Sequence, residues 1–180
     1  MYLLFLLAII FCYIFNFIIL IVYLPYIYYN KYNGKSYDEI HLLLKNKLFG
    51  IKAFSTLITT ICPYSSSIYP IVEEFNKVKI KCYIDDKLYL KNPFNSIHAI
   101  AIANLGELTS GLLMMNYLNL NNKKGIITKI TIKYHKKARG RITAICDIMS
   151  LNNGTIKCDL YNSNGDLIAE FISLWNVKNI

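Results

Sequence analysis

The chain has 180 residues, one domain's length with a segment to spare, and its 20 basic against 11 acidic side chains give a net charge of +9. Its five cysteines, Cys12, Cys62, Cys82, Cys146 and Cys158, form no CxxC pair and no metal-ligand spacing. That odd, scattered set excludes a disulfide framework and a zinc site as working readings and points to a reducing compartment.

In chain order, Met1 to Asn30 carries no charged side chain and is almost wholly apolar from Tyr2 to Tyr29. At about 1.5 Å per residue, a helix of that length crosses a hydrocarbon core of roughly 30 Å. The run is too long for a signal-peptide core, no basic stretch precedes it, and no A-x-A site follows. It reads as a transmembrane anchor over residues 1–30, with Tyr23, Tyr26, Tyr28 and Tyr29 at the interface and Pro25 kinking or ending the helix. Lys31, Lys35, Lys45 and Lys47 all lie on its C-terminal side. By the positive-inside rule they place the domain in the cytosol and the N-terminus across the membrane.

Residues 31–70 read as a linker and an amphipathic helix. Ser36-x-x-Glu39 is a capping box, and Asp38 suits the positive end of the helix dipole. From Ile40 to Ile61 apolar residues recur at helical spacing until Pro63, so one helix is expected, packed on the domain, the membrane surface, or both. His41 is expected to be exposed on it. Pro63 to Pro70 reads as a Ser- and Tyr-rich turn.

Residues 71–180 read as the folded domain. Val78 to Ile84 alternates as a strand, Asp85-Asp86 turns, and Leu88-Tyr-Leu90 resumes the alternation. A long helix follows, capped around Asn95-Ser96 and running to about Tyr117. From Asn92 to Asn122 its one formal charge is Glu107. Burying a lone carboxylate costs several kcal/mol, roughly, unless it is paired, so Glu107 has either a structural partner or chemistry to do. Ala99, Ala103, Gly106 and Ser110 leave one helix face almost free of bulk, open to close approach by a sheet. Four strands come next: Ile126–His135, with Ile130, Ile132 and Tyr134 on one face; Arg141–Ser150; Thr155–Asn162; and Leu167–Val177. Asn152-Asn-Gly154 and Asn164-Gly165 are turn signals between them. The order gives an α+β fold, an antiparallel sheet wrapped around one helix.

Three stretches carry a resemblance. They are Asn92-x5-His98-Ala99 with Glu107 nine residues after the His, Ile130-x-Ile-x-Tyr134-His-Lys-Lys-Ala138-Arg-Gly140-Arg141, and Asn164-Gly-Asp-Leu-Ile-Ala169. Over about residues 60 to 177 the chain resembles hotdog-fold acyl-CoA thioesterases of the phenylacetyl-CoA type. It is most similar to an uncharacterised branch with an extra N-terminal helix and a Glu on the hotdog helix. The resemblance implies that Glu107 acts as general base or nucleophile at the thioester carbonyl. It implies that Asn92 positions the water or the carbonyl, and that the backbone N–H of Ala99 polarises the carbonyl oxygen. The chain departs from its relatives in having Ala99 where Gly is common, and Ile127-Thr128 where some have a facing hydroxyl.

Elementary physics agrees with those roles. A helix N-terminus offers unpaired N–H groups where an oxyanion develops, and a carboxylate in a dry site is a stronger base. Nine residues of helix span about 13 Å, roughly half a turn out of phase. Glu107 and the Asn92/Ala99 end therefore cannot meet on one substrate within one chain. Two copies paired antiparallel bring them together, so an obligate homodimer, or a dimer of dimers, is expected. For Asn92 a plain turn role before Pro93 stands as an equal alternative. His98 is assigned a supporting role, orienting the helix start.

Eight cations from Lys123 to Arg141 accumulate without an acidic residue. A solvated face is the ordinary explanation. Lys137, Arg139 and Arg141 at the turn are the candidates for the phosphates of coenzyme A, which enters as part of the substrate rather than as a cofactor. Anionic lipid is a further possibility; nucleic acid is disfavoured, since neither a recognition motif nor interleaved aromatics accompany the charge. The rival functions are a non-catalytic acyl-CoA or lipid-binding module, with Glu107 structural, and a membrane scaffold.

Overall fold

The computed structural model describes residues 34–180. The expected transmembrane anchor over 1–30, its interfacial tyrosines, Pro25, Cys12 and Lys31 lie outside the described residues. Among the described residues no helix is long and apolar enough to cross a membrane.

Tyr37 to Ile180 form one compact unit. Two short helices open it, α1 (Tyr37–Leu44) and α2 (Gly50–Ile61), followed by a 3₁₀ segment at Pro63–Ile68 and strands β1 (Ile71–Phe75) and β2 (Lys79–Ile84). The long helix α3 (Ala99–Leu120) leads into β3 (Lys123–Tyr134), β4 (Ile142–Asp147), β5 (Thr155–Asn162) and β6 (Leu167–Asn179). All neighbours pair antiparallel in one six-stranded sheet of order β1-β2-β4-β5-β6-β3. Helix α3 lies against β2 to β6, while α1 and α2 pack on β1. This is the expected hotdog arrangement, an α+β sheet curled around one helix.

Alternation explains the core. Ile80, Cys82 and Ile84 of β2, Ile142, Ala144 and Cys146 of β4, and Ile156, Cys158 and Leu160 of β5 all point inward and are fully buried. They meet Ile102, Leu105, Leu113, Met114 and Leu118 of α3. The closest approach is at Gly106, where an added Cβ would stand 2.7 Å from Cβ of Phe171 on β6. The absence of a side chain lets helix and sheet touch there; of the expected small-residue face, Gly106 and Ser110 are buried, while Ala99 is exposed and Ala103 only partly covered. Asn153 and Gly154 both adopt positive φ, 47° and 78°, which makes the two-residue hairpin turn of the kind that Asn-Gly favours. Trp175 is buried, its indole N–H donating to Ser173 Oγ at 3.0 Å.

Strand β3 is an edge. Its pairing with β6 slips by one residue between Ile127 and Lys129, a bulge at Thr128. The slip keeps Ile127 on the inner face, opposite Trp175, and puts Ile130, Ile132 and Tyr134 inward after it. Ile130 nevertheless stays about half exposed, because among the described residues no further strand flanks β3.

Several local expectations are corrected. The single helix from Ile40 to Ile61 is two helices, broken at Lys45–Phe49. Gly50 sits so tightly on the Leu44 carbonyl oxygen that an added Cβ would be 1.8 Å from it, and Phe49 takes φ 58°. His41 is buried rather than exposed. Its ring meets Phe54 edge-on at 5.0 Å and its Nε2 lies 3.2 Å from the Glu73 carbonyl oxygen. Leu88–Leu90 is a 3₁₀ turn rather than strand, β1 was not anticipated, and α3 runs one turn further than Tyr117.

Candidate active site

The chain enters α3 through a tight turn. Asn92 Oδ1 accepts from the Phe94 N–H (3.0 Å), the Ser96 N–H (3.3 Å) and Ser96 Oγ (3.1 Å), and Asn95 takes φ 55°. The carbonyl end of the Asn92 amide is thus spent on the turn, leaving its NH₂ end for other partners. The N-cap is His98 rather than Ser96. Its Nδ1 accepts from the Ile100 N–H at 3.1 Å, and its own N–H donates to the Leu90 carbonyl at 2.7 Å. His98 thus caps the start of α3. The Ala99 N–H, first in the helix, meets no acceptor among the described residues.

Ala99 borders a cleft of about 310 Å³ lined by Asn92, Ile102, Tyr134, Lys137 and Ile168 among others. Three of the expected site residues, Asn92, Ala99 and Lys137, therefore come together. Two more lining residues escaped the sequence reading. Tyr134 Oη donates to the Ala99 carbonyl at 2.8 Å, tying β3 to the first turn of α3. Burial pushes its phenol pKa up, so it remains a donor. His135 Nε2 lies 2.7 Å from Glu170 Oε2, and Lys157 reaches the other oxygen of Glu170 at 2.6 Å. These two contacts hold the Glu170 carboxyl below its ordinary range. The signal for Tyr134 was present, since alternation placed it on the same face as Ile130 and Ile132. His135 had none.

Among the described residues the lining holds no carboxylate and three basic side chains, His135, Lys136 and Lys137. Lys136 is paired with Asp166 at 2.5 Å, whereas Lys137 has no ion-pair partner among the described residues. Arg139 is exposed at the turn beyond. Arg141 lies elsewhere. Its Nε donates to Asp85 Oδ1 at 2.8 Å and its guanidinium stacks 3.9 Å above the Tyr83 ring.

Glu107 is not part of the cleft. It lies two turns along α3, on the helix line of Ile100, Ala103 and Gly111 that faces away from the sheet. Its side chain has neither hydrogen bond nor ion pair among the described residues, and burial pushes its pKa up. Its Oε1 lies close over Gly111. The half-buried thiol of Cys62 is raised by burial first and by the Glu107 charge second. Among the described residues, one chain thus holds an amide without an acceptor and a carboxylate without a partner about 12 Å apart along one helix.

Solved structures share this architecture. A protein of unknown function from Pseudomonas aeruginosa, PA5026, described as a probable thioesterase, superposes with a TM-score of 0.62 at 16% identity, covering 72% of this chain and 96% of its own. A mutant of the thioesterase SAV0944 from Staphylococcus aureus gives 0.57 at 18% identity, over 64% and 98%. A putative thioesterase from Shewanella oneidensis gives 0.59 at 13% identity, over 72% and 97%. At such identities the likeness speaks for the fold. No curated protein sequence matches the chain. Residues 50–176, from α2 through most of β6, match the family described as a domain of unknown function, DUF4442, and it is to this family that the chain belongs.

Proposed function

We propose that the protein is an acyl-CoA thioester hydrolase, working as an antiparallel homodimer in which each site takes Glu107 from one copy and the Ala99 end of α3 from the other. The observation that carries this reading is the pairing of two unmet groups. Among the described residues, they are a carboxylate without a partner on the outer line of α3 and an N–H without an acceptor at its start. A second copy joined at the exposed edge of β3 by a two-fold axis perpendicular to the strands would bring the carboxylate of each copy towards the helix start of the other.

In this reading the thioester carbonyl oxygen sits at the Ala99 N–H, where the helix dipole and the free donor favour developing negative charge. Glu107, made more basic by burial, takes a proton from water as the water attacks the carbonyl carbon. The tetrahedral intermediate then expels the coenzyme A thiolate, which leaves with a proton. The NH₂ end of Asn92 orients the carbonyl or the water. Lys137 and Arg139 hold coenzyme A phosphates, and Arg141, tied to Asp85, shapes the turn that presents them. The apolar N-terminal stretch anchors the chain to a membrane from the cytosolic side, which suits a substrate that partitions into bilayers.

The test is thiol release from a panel of acyl-CoAs by the full chain, wild type beside Glu107→Gln. Turnover that falls at least about a hundredfold, the scale of a lost general base, is expected. Acyl-CoA binding without turnover by the wild type would instead favour a binding module, for which the capture of Asn92 Oδ1 by its own turn already argues.

A further inference from the structure

The turn between α1 and α2 exposes what a soluble surface ordinarily hides. Leu48 is 87% and Phe49 67% exposed at its tip, and Leu42 on α1 is 61% exposed. The tip is built rather than loose. The Lys47 N–H donates to the Leu44 carbonyl at 2.8 Å, the Gly50 N–H to the Lys47 carbonyl at 2.9 Å, and the Ala53 N–H to the Phe49 carbonyl at 2.9 Å. Phe49 is held at φ 58°, a left-handed conformation uncommon for a bulky side chain, which throws its ring outward. Cations surround it: Lys45 and Lys47 are exposed on the turn, and Lys52 Nζ lies 6.0 Å from the Phe49 ring centre.

The same end of the molecule continues the pattern. Leu42 and Lys45 share a groove with Lys77 and Val78. Ile148 donates to the Val78 carbonyl at 2.7 Å, which brings exposed Met149 to that end as well. Of the three carboxylates of the groove, Glu73 pairs with Lys81 and Glu74 with Lys79, which leaves Asp38 as the one acid beside Lys45 and Lys77. Apolar side chains among lysines that outnumber the remaining acid fit the boundary between lipid headgroups and acyl chains. The chain outside the described residues supplies the placement: thirty uncharged residues end only a few positions before α1.

We infer that the α1–α2 tip, with Leu48 and Phe49 entering the interface and Lys45, Lys47 and Lys52 on headgroups, docks on an anionic lipid bilayer as a second contact beside the N-terminal stretch. A second contact fixes which end of the sheet meets the membrane. The inference shares the membrane anchor with the proposed function and is independent of the hydrolysis reaction.

The experiment uses the full chain in vesicles of phosphatidylcholine with phosphatidylserine, the phosphatidylcholine carrying bromine on its acyl chains as a quencher. Leu48→Trp places an indole at the tip. Leu88→Trp, at an exposed site past the other end of β2, is the control, and the buried Trp175 gives a constant background. An indole roughly 5–10 Å into the interface should lose at least about half its emission at position 48 and little at position 88. K45E/K47E/K52E, or removal of phosphatidylserine, should reduce that quenching while the chain still floats with the vesicles. Flotation without quenching at position 48 overturns the tip contact and leaves the anchor standing. A chain that does not float overturns both. Blue-shifted but unquenched emission also overturns the inference, assigning the tip to a protein contact.

Discussion

Glu107 keeps its proton to higher pH in the folded chain than in the unfolded one, because burial disfavours its charge. The contribution of this group to stability is therefore fully present below the unfolded value of about 4.3, and is lost as pH rises through the higher folded value. Glu107→Gln removes that loss. We expect the variant to match wild type in denaturation at pH 4 and to exceed it at pH 7, while losing turnover. A residue kept for structure would give the opposite result at pH 7. His41 behaves in the reverse sense. Burial lowers its pKa, so its contribution is fully present above about 6.5 and is lost as pH falls through the lower folded value. His41→Phe should flatten that acid limb, read as the change in urea midpoint between pH 7.5 and 5.5.

The elements of the sheet were largely legible. Strands β3 to β6 and helix α3 follow from alternation, turn residues and a small-residue face, each a local signal that tertiary packing reinforces. What was missed has identifiable causes. In β1 the consecutive Glu73 and Glu74 break the alternation, and the bulge between Val72 and Glu74 puts the strand out of phase. The break between α1 and α2 was hidden because Leu44 and Leu48 keep helical spacing across it; Gly50 was the available signal. His41 was misplaced for a related reason, since only the fold brings Phe54 and Phe75 against it. Two glycines of α3 make a matched test. Gly106→Ala forces a methyl onto Phe171 and should cost about 1–3 kcal/mol as overpacking, roughly 2–12 °C in Tm. Gly111→Ala meets only Glu107 Oε1, at 3.5 Å, and should gain up to about 1 kcal/mol in helix propensity. Thermal melts of the two should shift in opposite directions.

At the scale of the whole molecule, the proposed active arrangement needs two copies, which two complementary variants can test. Ala99→Pro removes the polarising N–H at a helix position where proline is tolerated, and should be inactive alone, like Glu107→Gln. Refolding the two variants together makes mixed dimers with one intact site in two. Random pairing should then restore about a quarter of wild-type activity. No recovery would place Glu107 and Ala99 in separate roles.

The sheet order has a consequence for how the chain is made. Strand β3 pairs with β6, the last element described, and β4 and β5 are synthesised in between. A growing chain therefore carries β3 with both edges open until Leu167 to Asn179 arrives to cover one of them. Lys124, Lys129 and Lys133, together with the Thr128 bulge, guard the strand against wrong partners during that interval. The surface on which two copies would meet is thus the last part of the fold to be completed. Chains truncated before β6 should aggregate rather than assemble.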